Sequence, residues 1–367
     1  MMRVTVNLAG PADDAAIRLL MRRQPMPGRV SVSFEREPGF SLGCTVTGED
    51  CRILVARSEE GEIIGVACRS ERNVFVNGRE QRLGYLGQLR VDERFHGRWL
   101  VSRGFSLLRE LHAGSGISTY LAAIVDDNPQ ATGVLVEKRR KFFPEFHGVA
   151  HYCTLAVDLH RARPALPCSA QISRATSSEL AGIASFLRTH GSKRQFFPVW
   201  DEQKLRGLSA YGLHPQDIIV ARRGGQIAGV IALWDQSAYK QTVIQRYSGW
   251  LKAVAPLWNS SAPLFGRSPL PRPGELLRSA YAALVCVAGD DTAVFASMLR
   301  EIYNLARARG FSYLMLGLDA LDPLLPAAKS YSHILYPSRL YLAEWSDGGH
   351  LHEQLEQRPA YVDIATL

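Results

Sequence analysis

The clearest pattern of apolar and polar positions in the chain, at residues 86–109, predicts a strand that passes through a polar turn into a helix. Leu86, Leu89 and Val91 precede the polar segment 92–97, after which apolar residues return at helical spacing. The first turn of a helix has backbone N–H groups without partners, and the helix dipole favours an anion there. A basic, glycine-containing turn at this place predicts a binding site for a phosphorylated ligand.

Several strand and helix patterns occur twice along the chain. Residues 53–66 (ILVARSEEGEIIGV) and 218–230 (IIVARRGGQIAGV) each predict a β-hairpin. Residues 4–20 and 172–187 each predict a strand followed by an amphipathic helix, and residues 116–121 resemble residues 310–314. We therefore predict two related domains in one chain.

The spacing of these repeats predicts where the domains differ. The copies are about 165 residues apart for the first two matches and about 194 for the third, so the second copy should carry an insertion of roughly thirty residues. We place it at 236–278, which contains a breaker-rich run. The predicted domains are residues 1–160 and 172–346, joined by a proline-containing linker. The final strand, 338–345, is a candidate to pack against the first domain, and the tail 347–367 stays unassigned.

Composition places the chain among globular proteins. It has 367 residues, of which 46% are hydrophobic and 21% charged, so two domains of ordinary size are expected. No run approaches the ~18 apolar residues of a membrane span, and the first residues lack the apolar segment of a secretory signal. Six cysteines form no CxxC pair and ten histidines show no ligand spacing with them. We therefore expect a cytoplasmic protein with reduced thiols, no membrane segment and no metal.

The positive charge of the chain is concentrated in the predicted insertion. The net charge is +8, and residues 236–278 contain six basic side chains and one acidic side chain. A field of that sign suits an anionic partner at the insertion. A solvated basic surface is an equally good interpretation.

The order of elements in each half predicts an α/β fold with a mixed sheet covered by helices on both faces. This order, with the motif at 89–99, resembles the GNAT superfamily of N-acyltransferases, in a tandem arrangement of two GNAT-like domains. In the family, a loop Arg/Gln-x-x-Gly-x-Gly/Ala holds the pyrophosphate of acyl-CoA; Arg94 and Gly97 match it, whereas its sixth position is Trp99. The resemblance implies acetyl-CoA or another acyl-CoA as co-substrate, held by Leu89, Arg90, Val91, Arg94, Phe95, His96, Gly97, Arg98, Trp99 and Asn128.

The same resemblance suggests where acid and base catalysts would lie. The family often has a tyrosine that protonates the departing thiolate at the position of Leu135, so Tyr85 and Tyr152 are the remaining candidate donors. Buried tyrosines with satisfied hydroxyls are the alternative interpretation. Gln88 occupies a position from which the family often supplies the base, but an amide cannot accept a proton at useful pH. A relay through water is therefore expected, with these carboxylates nearby: Asp92, Glu93, Asp126 and Asp127.

The second half lacks the basic loop. Its equivalent segment contains Gly289, Asp290 and Asp291. Like charges 4 Å apart cost about 1 kcal/mol even in water, so two carboxylates would repel a pyrophosphate. The resemblance therefore implies a second domain that is degenerate and has lost the acyl-CoA site.

Three functions are compatible with the sequence. The first is an acyl-CoA-dependent N-acyltransferase whose acceptor is a small-molecule or peptide amine. The second is an aminoacyl-tRNA-dependent transferase or an RNA-interacting tandem GNAT protein, suggested by aromatic residues in the basic insertion: Tyr239, Tyr247, Trp250 and Trp258. The third is a non-catalytic acyl-CoA-binding protein. The acceptor, the acyl chain and the oligomeric state are not predicted by the sequence.

Overall fold

The first half of the chain forms seven strands and four helices in the order that the sequence predicts, with one added strand. The structure is a computed structural model that describes residues 4–26, 30–95, 98–137, 143–261 and 270–367, without the side chains of 98, 99, 250, 251 and 255–258. The elements are β1 (Thr5–Leu8), α1 (Asp14–Arg23), β2 (Val30–Glu35), α2 (Phe40–Thr45), β3 (Glu49–Arg57), β4 (Ile63–Val76), β5 (Arg79–Val91), α3 (Arg98–Ala113), β6 (Thr119–Val125), α4 (Pro129–Leu135) and β7 (Glu145–Asp158).

The second half repeats this plan and adds two elements in the predicted insertion, β11 and α7. Its elements are β8 (Gln171–Arg174), α5 (Leu180–Gly191), α6 (Glu202–Gly207), β9 (Ile218–Arg223), β10 (Gln226–Trp234), β11 (Gln241–Tyr247), α7 (Trp250–Ser261), β12 (Ser279–Val287), α8 (Thr292–Ala308), β13 (Tyr313–Asp319), α9 (Leu325–Lys329), β14 (His333–Glu344) and α10 (Leu351–Gln354). Both predicted hairpins, β3–β4 and β9–β10, are antiparallel pairs.

Twelve of the described strands form one mixed sheet that runs through both halves. The order is β1-β3-β4-β5-β6-β14-β7-β13-β12-β10-β9-β8. The last strand of each half is exchanged: β14 lies between β6 and β7, and β7 pairs with β13. The final strand therefore packs in the first half, as the sequence suggested. Because the sheet is continuous, the domain boundaries at 160 and 172 remain a prediction.

The insertion joins the two halves a second time. Its strand β11 pairs with β2 in a separate two-stranded sheet. The side-chain amide of Gln241 accepts from the backbone N–H of Glu37 at 2.9 Å and donates to the Glu37 carbonyl at 3.0 Å. This contact fixes the segment before α2 against the segment after β10.

Helices cover both faces of the sheet because each has one apolar side. In α1 the buried residues Ile17, Leu20 and Met21 recur at helical spacing and pack with Phe40 of α2 against β4. On the other face α3 packs through Leu100, Phe105 and Leu108. Among the described residues, no helix is both long and apolar enough to cross a membrane.

Candidate functional site

Strands β5 and β6 separate at the place where the sequence predicts the cofactor. They pair in parallel only through residues 84–86 and 120–122. Immediately beyond, Gln88 has φ 57°, and the register of β5 against β4 shifts between Val66 and Cys68. An extra residue in one strand bends it and interrupts the ladder. The result is an opening between two strand ends, with Gln88 at its edge.

The described part of the predicted cofactor loop lies at the end of β5. Leu89 is exposed, Arg90 is half-buried and Val91 packs with Leu100 of α3. A single turn containing Arg94 and Phe95 follows. His96 and Gly97 lie outside the described residues, and so do the side chains of Arg98 and Trp99. The ligand contacts predicted for this loop stay predictions.

Arg94, the first position of the predicted loop, is engaged by two carboxylates. Its guanidinium donates to Asp92 Oδ2 at 2.8 Å and to Glu62 Oε1 at 2.7 Å. These hydrogen bonds, the one to Asp92 first, raise the pKa of Arg94 above its ordinary value. The pKa of Asp92 is lowered, chiefly by the hydrogen bond from Arg94. A phosphate bound by Arg94 would therefore compete with the buried carboxylate of Asp92 and with the exposed carboxylate of Glu62.

Asn128 is the N-cap of α4, as the sequence predicts. Its side-chain oxygen accepts from the backbone N–H of Ala131 at 3.0 Å, and Pro129 occupies the first turn. The cap is confirmed. A contact between Asn128 and the cofactor stays a prediction.

The two candidate proton donors differ in their surroundings. Tyr152 is 2% exposed; its hydroxyl donates to the Val362 carbonyl at 2.7 Å and accepts from the Val362 N–H at 3.3 Å. The pKa of Tyr152 is raised well above its usual range, and burial is the main cause. Such a hydroxyl is held by the backbone, so the geometry favours a structural role. Burial also raises the pKa of Tyr85, to about 12. Tyr85 lies on β5 three residues before Gln88, and its role as proton donor stays a prediction.

The second half contains the same opening. Strands β12 and β13 pair in parallel only through residues 279–281 and 313–315. Leu284 has φ 54°, and the register of β12 against β10 shifts between Val230 and Ala232. Leu284 therefore corresponds to Gln88, and the internal repeat extends to a bulge at the same point of the strand.

In the second half, the chain itself fills this opening. The N–H of Leu284 donates to Asp363 Oδ2 at 2.9 Å, and the N–H of Val285 donates to the hydroxyl of Tyr361 at 3.0 Å. Both acceptors belong to the tail that the sequence left unassigned. The sequence did contain a signal of this burial, because most residues of the segment 360–366 around Asp363 are apolar. In the structure, all of these apolar residues are at least partly buried.

The start of α8, which corresponds to the start of α3, is also filled internally. Asp291 Oδ1 accepts from the N–H groups of Ala293 at 3.0 Å and Val294 at 3.1 Å. The hydrogen bond from Val294 and the one from Arg223 lower the pKa of Asp291. A carboxylate thus occupies the helix N-terminus where a phosphate would bind.

One side-chain group has the composition of a metal site. Within the described ranges, ligand atoms of His147, Glu344 and His352 lie within 4.8 Å of one another. Hydrogen bonds account for the carboxylate, which accepts from Thr119 at 2.8 Å and from the Leu351 N–H at 2.8 Å, besides its contact with His352 Nδ1. The contacts of this group are therefore explained by hydrogen bonds within the protein.

The basic insertion is only partly a surface feature. Lys240 points inward, and its Nζ donates to backbone oxygens of Ala365 at 3.0 Å and Leu367 at 2.7 Å. Tyr239 and Tyr247 are buried at 3% and 9% exposure, so neither offers a ring for stacking on a nucleobase. The side chains of Trp250 and Trp258 lie outside the described set.

Comparison with known proteins identifies the fold. No family model matches the sequence, and no curated protein sequence matches it. Among solved structures, N-myristoyltransferase of Saccharomyces cerevisiae with bound myristoyl-CoA superposes with a TM-score of 0.65 at 10% identity, over 98% of this chain and 85% of that chain. A GCN5-related N-acetyltransferase from Sphaerobacter thermophilus gives 0.54 at 14% identity, over 99% and 98%.

A third structure contains a similar region within a longer protein. It is the GCN5-related glucosamine N-acetyltransferase region of a fungal multi-domain GH3 β-N-acetylglucosaminidase, with a TM-score of 0.59 and 17% identity. The match covers 93% of this chain but 38% of that chain, so this chain spans well under half of the fungal protein. At these identities the similarity concerns the fold. The predicted fold is confirmed: the chain has the GNAT fold, with one copy in each half.

Proposed function

We propose that this chain is an acyl-CoA-dependent N-acyltransferase, with acetyl-CoA or another acyl-CoA as donor and an amine as acceptor. The acyl-CoA would lie in the opening between β5 and β6, with its pyrophosphate at the loop 94–99. The amine nitrogen attacks the thioester carbonyl carbon, the new C–N bond replaces the C–S bond, and the CoA thiolate leaves. The amine gives up a proton in the same reaction, and we assign its removal to water.

The observation that carries this proposal is the filling of the second opening. There a carboxylate oxygen of Asp363 and the hydroxyl of Tyr361 accept from consecutive backbone N–H groups next to the bulge. The corresponding groups of the first half are the N–H groups of Gln88 and Leu89. An oxygen with developing negative charge, such as that of a thioester carbonyl under attack, is the acceptor that such donors stabilise. This role belongs to the backbone, so it does not require the Gln88 side chain.

Acid–base groups contribute less in this proposal. A thiolate is a tolerable leaving group, so positioning and stabilisation of the oxyanion can supply much of the rate. Tyr85 is the proposed donor of a proton to the thiolate. All six cysteines are free, which suits the proposed cytoplasmic location.

A thermal-shift titration with acetyl-CoA tests the donor site. A ligand at ~100 times its dissociation constant adds about 2.7 kcal/mol to the free energy of unfolding. We expect this shift in the wild type and its loss in Gly97→Asp, because a carboxylate would face the pyrophosphate. Gly207→Asp is the matched control: a Cβ at Gly207 meets nothing within 4 Å. It should retain the shift.

Turnover then separates the proposed functions. Release of free CoA thiol in the presence of an amine panel is expected from the wild type and not from Gly97→Asp. A shift without turnover on any amine would favour a non-catalytic acyl-CoA-binding protein. An absence of any shift with acetyl-CoA and with longer acyl-CoAs would contradict the proposal.

A further inference from the structure

A surface cavity of about 330 Å³ lies between helix α8 and the segment that connects the two halves of the chain. Its lining residues are Arg161, Ala162, Arg163, Pro164 and Arg300. Arg161 is exposed, whereas Arg163 and Arg300 are half-buried. Pockets that hold small ligands begin at about 300 Å³. The cavity is therefore large enough for a small ligand, and arginines form most of its lining.

No carboxylate balances the charge of these three arginines. All 35 Asp and Glu residues of the chain lie in the ranges that the structure describes, and none of them forms an ion pair with Arg161, Arg163 or Arg300. Two acidic residues are close to them in sequence. Asp158 contacts His160 Nδ1 at 3.3 Å, and Glu301 directly follows Arg300 on α8, where neighbouring side chains do not face each other. The lining of the cavity thus has a surplus of positive charge.

Two buried tyrosine rings hold two of the guanidinium groups in place. The Arg163 guanidinium carbon lies 4.7 Å from the ring centre of Tyr331 and 5.6 Å from that of Tyr303. The Arg300 guanidinium carbon lies 5.4 Å from the centre of the same Tyr331 ring, and Arg300 Nε donates to the Tyr331 hydroxyl at 2.9 Å. An aromatic ring attracts a cation but leaves its net charge unchanged. Both guanidinium groups are therefore fixed without being neutralised.

Hydrogen bonds to α8 also fix the backbone of the connecting segment. Asn304 Oδ1 accepts from the Arg163 N–H at 3.1 Å, and Asn304 Nδ2 donates to the Arg163 carbonyl at 2.8 Å. The Tyr303 hydroxyl donates to the Arg161 carbonyl at 2.9 Å, and the Arg300 guanidinium donates to the Pro164 carbonyl. Arginines from two distant segments are thus held around one cavity before a ligand binds.

The arginines keep hydrogen-bond donors that no protein group uses. A guanidinium has five N–H donors. In the described structure, Arg163 Nε is buried and has no hydrogen-bond partner. Arginine is suited to bidentate recognition of carboxylates and phosphates. A phosphate monoester carries a charge of about −1.5 to −2 at pH 7, so three cations favour it over a carboxylate.

The cavity is separate from the opening proposed for acyl-CoA. The connecting segment follows β7, and strands β14 and β6 lie between β7 and β5 in the sheet. Arg300 lies in the middle of α8, away from the N-terminus that Asp291 caps. A ligand in the cavity would contact both α8 and the connecting segment, and would therefore tie the helix to the segment that leaves β7.

We propose that Arg161, Arg163 and Arg300 bind a phosphate group of a small phosphorylated ligand, at a second site distinct from the acyl-CoA site. The phosphate oxygens accept hydrogen bonds from the guanidinium groups. The inference goes beyond the proposed transferase function and does not depend on it.

Binding of pyrophosphate, measured by calorimetry at constant ionic strength, tests the second site. The test protein is Gly97→Asp, because its added carboxylate repels pyrophosphate from the loop 94–99, and binding that remains belongs to another site. Acetate is the control anion. Because hydrogen bonds to charged groups are the stronger ones, pyrophosphate should bind at least about 10-fold more tightly than acetate.

Two arginine substitutions, each combined with Gly97→Asp, locate the binding. Arg161→Gln changes an exposed side chain and should weaken pyrophosphate binding about 10-fold without affecting the fold. Arg163→Met keeps an apolar side chain against the two tyrosine rings and should weaken it about 10- to 100-fold. Arg307→Gln is the matched control, because Arg307 is exposed on α8 and does not line the cavity. Screening by salt should keep its effect below about twofold.

The outcomes separate this inference from the proposed function. Pyrophosphate binding no tighter than that of acetate overturns the second site, and so does binding that is unchanged in Arg161→Gln and Arg163→Met. In either case, an intact acetyl-CoA shift in the wild type leaves the proposed function standing. Loss of the acetyl-CoA shift when Arg161→Gln is made alone would assign the arginines to the donor and would also overturn the second site. Arginine-dependent pyrophosphate binding without any acetyl-CoA shift would support the second site and contradict the transferase function.

Discussion

The two halves of the molecule contain the same opening and differ in what fills it. In both, two parallel strands separate beside a bulge, and the bulge residue has a positive φ: 57° at Gln88 and 54° at Leu284. In the second half, Asp363 and Tyr361 accept from the N–H groups next to the bulge. Within the described ranges, no side chain accepts from the corresponding N–H groups of Gln88 and Leu89 in the first half. The second half therefore indicates which chemical groups the first half would bind from outside: oxygen acceptors at the strand.

The halves also differ in charge at the positions a phosphate would occupy. Asp291 caps α8 with its own carboxylate and Asp290 accepts from Arg194 at 2.7 Å, so the second half is internally neutralised. In the first half, the described part of the same segment contributes a basic side chain, Arg94, which pairs with Asp92 and Glu62. One copy of the fold is thus completed by its own chain, and we propose that a ligand completes the other.

The largest expected effect comes from truncating the two bulge residues. Leu284 is fully buried, and a Leu→Ala change in a core costs about 3 to 5 kcal/mol. Gln88 is half-buried, so Gln88→Ala should cost less than about 1 kcal/mol. Urea unfolding of both variants measures the difference. Equal losses would show that Leu284 and Gln88 have the same structural role, which would contradict the proposed difference between the two openings.

Removing the carboxylate of Asp363, which fills the second opening, should lower the stability nearly as much. In Asp363→Ala the buried N–H of Leu284 loses its acceptor and the neighbouring basic side chains lose a carboxylate, so we expect a loss of about 2 to 4 kcal/mol in thermal unfolding. Glu353→Ala, at an exposed position of the same tail, should stay within about 0.5 kcal/mol of the wild type. A variant of Asp363 as stable as the Glu353 control would mean that the tail does not hold the second opening closed.

Much of this fold is predictable from the sequence because its elements follow from the local spacing of apolar and polar residues. The hairpins, the strand–helix units and the Asn128 cap depend on residues that are close in sequence. Of the exchange of β7 and β14, only the contact of the final strand with the first domain was predicted, as a candidate, since pairing between distant strands leaves no local pattern. The added strand β2 has its partner β11 in the insertion, about 200 residues away, and was not predicted.

The site was predictable only in part, for the same physical reason. The loop residues follow one another along β5, and the sequence places them at the strand end. Lys240, one of the basic residues of the insertion, donates to the Ala365 carbonyl of the distant tail, and no local pattern predicts that contact. Similarly, the sequence leaves Tyr152 as a candidate donor, because the residue that binds its hydroxyl, Val362 of the tail, lies 210 residues further along the chain.

Replacing Tyr152 tests that change of interpretation. Tyr152→Phe removes the hydrogen bonds to the Val362 backbone, which should cost about 1 to 2 kcal/mol of stability. Because the hydroxyl is held inside the protein, kcat for CoA release should stay close to that of the wild type. A kcat about a hundredfold lower with an unchanged melting temperature would instead identify Tyr152 as the general acid.

The smallest effects are the pH dependences of the two internal carboxylates, and their signs are opposite. Burial raises the pKa of Asp363 above 3.8, so the folded state holds its proton more tightly than the unfolded chain does. Relative to Asp363→Asn, the wild type should therefore be most stable at low pH and should lose stability as pH rises from 3.8 through the folded pKa.

For Asp291 the order is reversed, because hydrogen bonds from Val294 and Arg223 lower its pKa below 3.8. Relative to Asp291→Asn, an equally good helix cap, the wild type should keep its advantage above pH 3.8 and lose it as pH falls through the folded pKa. That advantage comes from the charge of Asp291 facing the start of α8 and Arg223, and we expect it to be within about 1 kcal/mol. Thermal unfolding of both variants from acid to neutral pH measures the trends. Parallel trends would contradict this difference, because they would mean that folding favours the same protonation state for both carboxylates.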